Sequence, residues 1–226
     1  MADPATSSGD PEAPRRVVVV DDHPLIRRAL GDLIARDPTL SLSGEAANAD
    51  DALPLVGDVQ PDLVLLDISM PGGDGTALIA RLVGLHPALA ILVLSMHDEA
   101  LYAERVLRAG ARGYVMKHES PQEVMRAIER VLSGRVHLSD SMTERVLERS
   151  AAPSSVGQSI AALSDRELQV LRLMGEGRGT AQIAESLGLS TKTVDTYRSN
   201  LKRKLALKSH AELMRYAMHW MDAPRR

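Results

Sequence analysis

Five short apolar runs mark the first half of the chain: "RVVVVDD" (16–22), "LSLSGEA" (40–46), "DLVLLD" (62–67), "AILVLS" (90–95) and "GYVMK" (113–117). The first, third and fourth are nearly continuous in Val, Ile and Leu, with no apolar/polar alternation, which is the pattern of strands covered on both faces. Helical spacing fills the gaps. Ile26, Leu30, Leu33 and Ile34 share one helical face, and Pro24 stands where a first helical turn tolerates it. Strand and helix alternating five times predicts right-handed crossovers and an α/β domain, a five-stranded parallel, doubly wound (βα)5 sheet with helices on both faces.

After a last helix near 121–133 the strand pattern stops. "SGRVHLSDSMTERVLERSAAPSSVGQSIAA" holds a possible short helix at 140–149 and a segment rich in Pro, Ser and Gly, the composition of a linker. Capping signals then multiply. "SDRE" (164–167) fits a capping box with Ser164 at the N-cap, and Gly175 and Gly177 are stop signals. Thr180 opens a helix that Gly188 closes, and "SHAE" (209–212) is a second box. Four helices are expected, a second, smaller all-α domain. In "STKTVDTYRSNLKRKL" (190–205), Val194, Tyr197, Leu201 and Leu205 form an apolar stripe and leave Lys192, Asp195, Thr196, Ser199, Lys202 and Arg203 facing outward. With the short helix 180–187 and a tight turn before it, this is the layout of a helix-turn-helix, whose second helix enters the DNA major groove. The expected organisation is a disordered leader (1–15), an α/β domain (16–133), a linker (134–160) and a helix-turn-helix domain (161–226).

Composition narrows the choices. The 226 residues suffice for two modest domains. Cysteine is absent, which excludes a disulfide framework and thiolate metal sites. No apolar run approaches the roughly 20 residues of a membrane span, and the opening "MADPATSSGDPEAP" lacks the basic and apolar regions of a signal peptide, so a cytoplasmic protein with no membrane partner is expected. The net charge of −3 conceals an asymmetry. From Leu163 onward there are 12 Lys and Arg against 7 Asp and Glu, and before it 15 against 23. A basic half is the candidate for a polyanionic partner.

In an open parallel sheet, ligands bind beyond the carboxyl ends of the strands. Asp21 and Asp22 stand at the end of the first strand, Asp67 at the third, Ser95 at the fourth and Lys117 at the fifth. Three carboxylates, a hydroxyl and an ammonium therefore converge on one rim. Like charges so close raise each other's pKa unless a cation neutralises them; a hard divalent ion with oxygen ligands, Mg²⁺, would do so, with the lysine balancing what remains. No G-x-G-x-x-G follows the first strand and no G-x-x-x-x-G-K-[ST] occurs, which removes the dinucleotide and P-loop alternatives.

The conjunction "VVVVDDH", "LLDISMPGGDG", "VLS" and "YVMK" resembles the receiver domain of bacterial two-component response regulators over roughly residues 16–133. The resemblance implies that Asp67 accepts a phosphoryl group from the phosphohistidine of a sensor histidine kinase. It implies that Asp21, Asp22, Asp67 and the backbone carbonyl of Ser69 hold Mg²⁺, that Ser95 and Lys117 bind the new phosphoryl oxygens, and that Tyr114 is a switch residue. A carboxylate nucleophile needs its charge offset, so catalysis is placement and electrostatics. "PGGDG" (71–75) supplies a glycine-rich loop or a plain turn. Two positions depart from the commonest pattern: His118 follows Lys117 where many receivers have proline, and His97 lies two beyond Ser95, a place that influences dephosphorylation.

"LSDRELQVLRLMGEG…IAESLGLSTKTVDTYRSNLKRKL", within about 163–220, resembles the LuxR-type DNA-binding domain, and its fusion to a receiver resembles the NarL/FixJ class. The likeness implies that Asp195, Thr196 and Ser199 face base edges, that Lys192, Arg198 and Lys202 contact phosphates, and that Thr193 belongs to the same surface. Asp195 accepts a hydrogen bond from cytosine or pairs with Arg198. The preferred reading is a phosphorylation-controlled transcription factor acting on promoter DNA, a homodimer when phosphorylated; a regulator whose receiver is only an interaction module, and a phosphoryl-transfer enzyme, are the rivals. No separate substrate is expected. Phosphorylation is expected to draw Ser95 and Lys117 inward, bring Tyr114 in, drive dimerisation and expose helix 190–205.

Overall fold

The computed structural model describes residues 13–70, 74–97, 99–144, 160 and 163–222. Most of the expected leader, residues 71–73 of the glycine-rich loop and residues 145–149 of the possible linker helix lie outside the described residues; residues 140–144 are helical.

The α/β unit runs β1 (Arg15–Val20), α1 (Pro24–Ile34), β2 (Leu40–Ala46), α2 (Ala49–Val59), β3 (Leu63–Leu66), α3 (Gly75–Leu85), β4 (Ala90–Ser95), α4 (Glu99–Ala109), β5 (Gly113–Met116) and α5 (Pro121–Leu132). All strands are parallel, in the order β2-β1-β3-β4-β5. The unbroken valine run is explained by its two-sided burial. Val17, Val19, Leu63, Leu65 and Leu92 pack with Leu30 and Ile34 of α1 and Ile128 of α5, while Val18, Val20, Val64, Leu66 and Val93 pack on the other face with Val56, Ile79 and Tyr102 of α2, α3 and α4. Each such side chain contributes about 1.5–3 kcal/mol by leaving water, so neither face has room for a polar residue.

The winding direction reverses at β1, whose neighbours are β2 on one side and β3 on the other. Such a reversal opens a crevice at the carboxyl ends. Val20 is in register with Leu66, which sets the next residues, Asp21 and Asp67, side by side. After β3 the chain passes so close to α3 that a Cβ on Gly75 would lie 2.6 Å from Ile68 Cβ and 2.7 Å from its Cα. Asp74 caps α3 by accepting from the Thr76 and Ala77 amides.

Beyond α5 the chain turns back along the sheet edge. Tyr114 N–H donates to His137 O and His137 N–H to Arg112 O, both at 3.0 Å, so the linker adds a short parallel bridge to β5. The peptide between Lys117 and His118 is trans, as no cis bond occurs among the described residues.

The second domain contains α6 (Asp165–Gly175), α7 (Thr180–Leu187), α8 (Thr191–Lys204) and α9 (His210–Asp222). Ser164 and Glu167 form the reciprocal capping box, and Gly188 closes α7 with φ +63°. At the second predicted box Ser209 Oγ accepts from Glu212 N–H, but the Glu212 carboxylate accepts from Lys208 N–H rather than from the cap residue. Leu168, Leu171, Ile183, Val194, Leu201, Leu213 and Ala217 are buried together as its core.

Candidate functional site

At the carboxyl edge of the sheet, β1 and β3 deliver carboxylates and β5 delivers a cation. Asp21 and Asp67 are 1% and 2% exposed. Lys117 Nζ lies 2.6 Å from Asp21 Oδ2 and 2.7 Å from Asp67 Oδ2. Asp67 Oδ1 accepts from the Ser69 amide at 2.8 Å. Burial pushes the Asp67 carboxyl above its ordinary pKa, and the Asp21 charge adds to this, against the lowering effects of Lys117 and the Ser69 amide. Burial alone would push the Lys117 ammonium down, but Asp67 and Asp21 outweigh it and hold the group above its ordinary value. An imidazole joins them: His23 Nδ1 stands 3.3 Å from Asp21 Oδ1 and 2.9 Å from Asp22 Oδ1.

This set fits a hard divalent cation. Ligand atoms of Asp21, Asp22, His23 and Asp67 all lie within 4.8 Å of one another. Asp21 Oδ2 and Asp22 Oδ1 are buried oxygens with lone pairs to spare; Lys117 Nζ lies 2.6 Å from the first and His23 Nδ1 2.9 Å from the second. Oxygen-rich donors with unused lone pairs suit Mg²⁺.

Ser95 and Tyr114 lie next to this pocket, both fully buried. Ser95 Oγ accepts from His97 N–H at 3.1 Å, and Tyr114 Oη donates to His97 O at 2.7 Å. Tyr114 is therefore already turned inward, and its burial pushes the phenol far up. His97 is the hub of the group. Its ring stacks on Tyr102 with centroids 4.9 Å apart, and burial, then the charges of Arg172, Arg166 and Lys117, push its pKa down to about 4.

The helix-turn-helix meets the receiver through one end of α6. Asp165, Arg166 and Gln169 are buried there. Asp165 Oδ2 accepts from Thr76 N–H at 2.9 Å, and Asp165 Oδ1 pairs with Arg105 at 3.2 Å. Arg166 Nη2 donates to Met70 O at 2.6 Å and lies 3.4 Å from Ser69 O. Arg166 Nη1 donates to Gln169 Oε1 at 2.8 Å, which leaves the Gln169 amide nitrogen to donate to His97 Nε2 at 3.0 Å. Neutral His97 then carries its proton on Nδ1.

Helix α8 is the candidate nucleic-acid surface. Val194 and Leu201 are buried and Tyr197 and Leu205 half-buried, the predicted stripe, whereas Lys192, Asp195, Thr196, Ser199 and Arg203 are exposed and Lys202 is half-exposed. Thr196 and Ser199 hydroxyls donate to the carbonyls one turn back, and the Thr193 hydroxyl is bonded to Ser190, the N-cap. Arg198 differs from expectation. Its guanidinium, 19% exposed, is held by Asp195 Oδ1 at 3.2 Å and by Thr180 and His210. The Asp195–Arg198 pairing is the alternative the structure adopts. The outer face of α8 also stands open while the domains touch, so exposure of this helix is not what separating them would change.

Sequence comparison places these two halves. "Response regulator receiver domain" matches residues 17–129, and "Bacterial regulatory proteins, luxR family" matches residues 161–217. A putative transcriptional regulator of Pseudomonas aeruginosa is 39% identical over 202 residues, covering 89% of this chain and 96% of that protein. The virulence factors putative positive transcription regulator BvgA of Bordetella pertussis is 38% identical over 200 residues, covering 88% and 94%. The Salmonella typhimurium response regulator RcsB superposes with a TM-score of 0.56 at 26% identity, covering 92% of this chain and 99% of that one. A structure of RcsB from Salmonella enterica serovar Typhimurium bound to promoter rprA in the presence of phosphomimetic BeF3- gives 0.58 at the same identity over 91% and 98%.

The chain belongs to the two-component response regulators, in the branch that carries a luxR-family DNA-binding domain. It is a DNA-binding transcriptional response regulator.

Proposed function

We propose that Asp67 is the phosphoacceptor, phosphorylated in a Mg²⁺-dependent reaction by a sensor histidine kinase, and that the phosphorylated chain dimerises on promoter DNA. The observation that carries this is the contact of Lys117 Nζ with Asp67 Oδ2 inside a group of three carboxylates, two of them buried. An Asp67 carboxylate oxygen attacks phosphorus, the P–N bond of the phosphohistidine breaks, and the bonding pair returns to the imidazole. Lys117 follows the charge from the carboxylate to the phosphoryl oxygens, and Ser95 Oγ turns from the His97 amide toward them. Asp21, Asp22, Asp67 and the Ser69 carbonyl would hold the divalent cation, which would supply positive charge to the phosphoryl oxygens when bound. Tyr114 takes up the change at Ser95 through the His97 backbone. No second substrate is consumed, and the chain is its own phosphoryl acceptor.

On DNA, Lys192 and Lys202 would neutralise phosphates while Thr196 and Ser199 face bases, with Asp195 and Thr193 at the same surface; Arg198 contributes by orienting Asp195. The test is incubation with a small acyl phosphate. One phosphoryl group should be gained with Mg²⁺ and none with a chelator, and Asp67→Asn should gain none. Labelling of Asp67→Asn at the wild-type rate would sink the assignment.

A further inference from the structure

We propose that Arg166 of the DNA-binding domain competes with the divalent cation for the carbonyl that follows the phosphoacceptor, so that domain docking and cation loading oppose each other. The inference rests on the reading of Asp21, Asp22, Asp67 and the Ser69 carbonyl as the cation site. Arg166 enters the receiver from the first turn of α6 and is only 7% exposed. Among the described residues its hydrogen-bond partners are neutral: Met70 O, Ser69 O and Gln169 Oε1. A guanidinium cannot shed its proton. A cation that takes Ser69 O as an inner ligand, at roughly 2.0–2.6 Å, meets this fixed positive charge across the same oxygen, in a buried place where repulsion is weakly screened. Lys117 already supplies one positive charge to the pocket.

The loop is gripped at two points. Arg166 holds the Met70 carbonyl, and the adjacent Asp165 holds the Thr76 amide at 2.9 Å, so the first turn of α6 fixes both ends of the stretch between them. Ser69 also donates to Asp67 Oδ1, which ties the gripped loop to the acceptor carboxylate itself. Cation binding that pulls the Ser69 carbonyl inward strains both grips, and releasing them frees the carbonyl for the cation. Such coupling is reciprocal by linkage: what docking does to the cation, the cation does to docking.

Two measurements on the full chain decide it. Calorimetric titration with Mg²⁺ should show Arg166→Met binding at least about fivefold more tightly than wild type, the low end of ordinary coupling. In unmutated protein, saturating Mg²⁺ at constant ionic strength should speed amide exchange of segment 163–175, and Asp22→Asn should lose that response. Equal Mg²⁺ affinity of wild type and a folded Arg166→Met overturns the competition and leaves the cation site standing. Should Arg166→Met not fold, the exchange experiment decides alone, and unchanged exchange with Mg²⁺ bound overturns the inference. Failure of Mg²⁺ to bind either protein removes the cation site, and the inference with it.

Discussion

Lys117 is where the opposing demands of the acidic pocket meet. Two nearly inaccessible carboxylates, Asp21 and Asp67, are tolerable side by side because one ammonium sits within 2.7 Å of both. Lys117→Met should therefore destabilise the receiver by about 3–5 kcal/mol, the usual cost of leaving a buried charge unpaired. Added Mg²⁺ should return part of that, since a ligand bound only by the folded state stabilises it by mass action. Urea unfolding at pH 7.5 with and without Mg²⁺ measures both; a variant as stable as wild type and indifferent to Mg²⁺ contradicts this account. Asp21, Asp67, Ser95 and Lys117 were legible in the sequence because each follows an apolar run that fixes it at a strand end. His23 was not, since nothing in "DDH" tells whether the ring turns back onto the carboxylates. Gln169 was not either: a glutamine among charged residues on a helix reads as solvent-facing, and its polar partners, Arg166 and His97, come together only at the junction of the domains.

Elements followed their patterns where burial decides the pattern. Four of the five strand ranges fall within one residue of their apolar runs, and β1 ends two residues early, at Val20, just before the carboxylates that face the pocket. The linker bridge to β5 escaped because it is made by backbone groups, which side-chain periodicity does not report. At the start of α3, Gly75→Ala should cost about 1–3 kcal/mol by overpacking against Ile68, seen as a lower urea midpoint with unchanged slope; an unaltered midpoint would mean the loop gives way freely. On α8, Lys202 and Arg198 separate two roles that sequence alone assigned together. Lys202→Ala should reduce the slope of log affinity against log salt by about 0.9, one phosphate's worth. Arg198→Ala should chiefly lower the thermal stability of the helix-turn-helix, because its guanidinium holds Asp195, Thr180 and His210. Equal salt slopes for wild type and Lys202→Ala, across several target sequences, would remove the phosphate contact.

For the whole molecule, the junction between the domains holds two titrating groups whose pH dependences oppose each other. Burial, then the Asp74 charge, pushes the Asp165 carboxyl up to about 6, with Arg105 and the Thr76 amide acting the other way. Asp74, partly buried, is nevertheless held below its ordinary value by the Thr76 hydroxyl, the Ala77 amide and Asp165, so the shared proton belongs to Asp165. A pKa raised in the docked state means that docking is favoured by protonation, a contribution complete below the ordinary 3.8 and lost as pH rises through about 6. His97 runs the other way. Its pKa is lowered to about 4, and the part of that shift that Arg172 and Arg166 bring across the junction makes docking favour the neutral ring, a contribution lost as pH falls through about 4. Protonated His97 could not accept from Gln169 and would face Arg166, Arg172 and Lys117 as a like charge. The two contributions oppose each other between about pH 4 and about 6, so docking in wild type should vary little across that span. Single substitutions should unmask each slope. Asp165→Asn should dock more firmly as pH rises through this range, and His97→Asn should dock less firmly. Radius of gyration from X-ray scattering across the pH series reads the docking, larger when the domains part. Parallel pH profiles for wild type and both variants would show that neither group titrates with docking, and that the two domains meet through their neutral contacts alone.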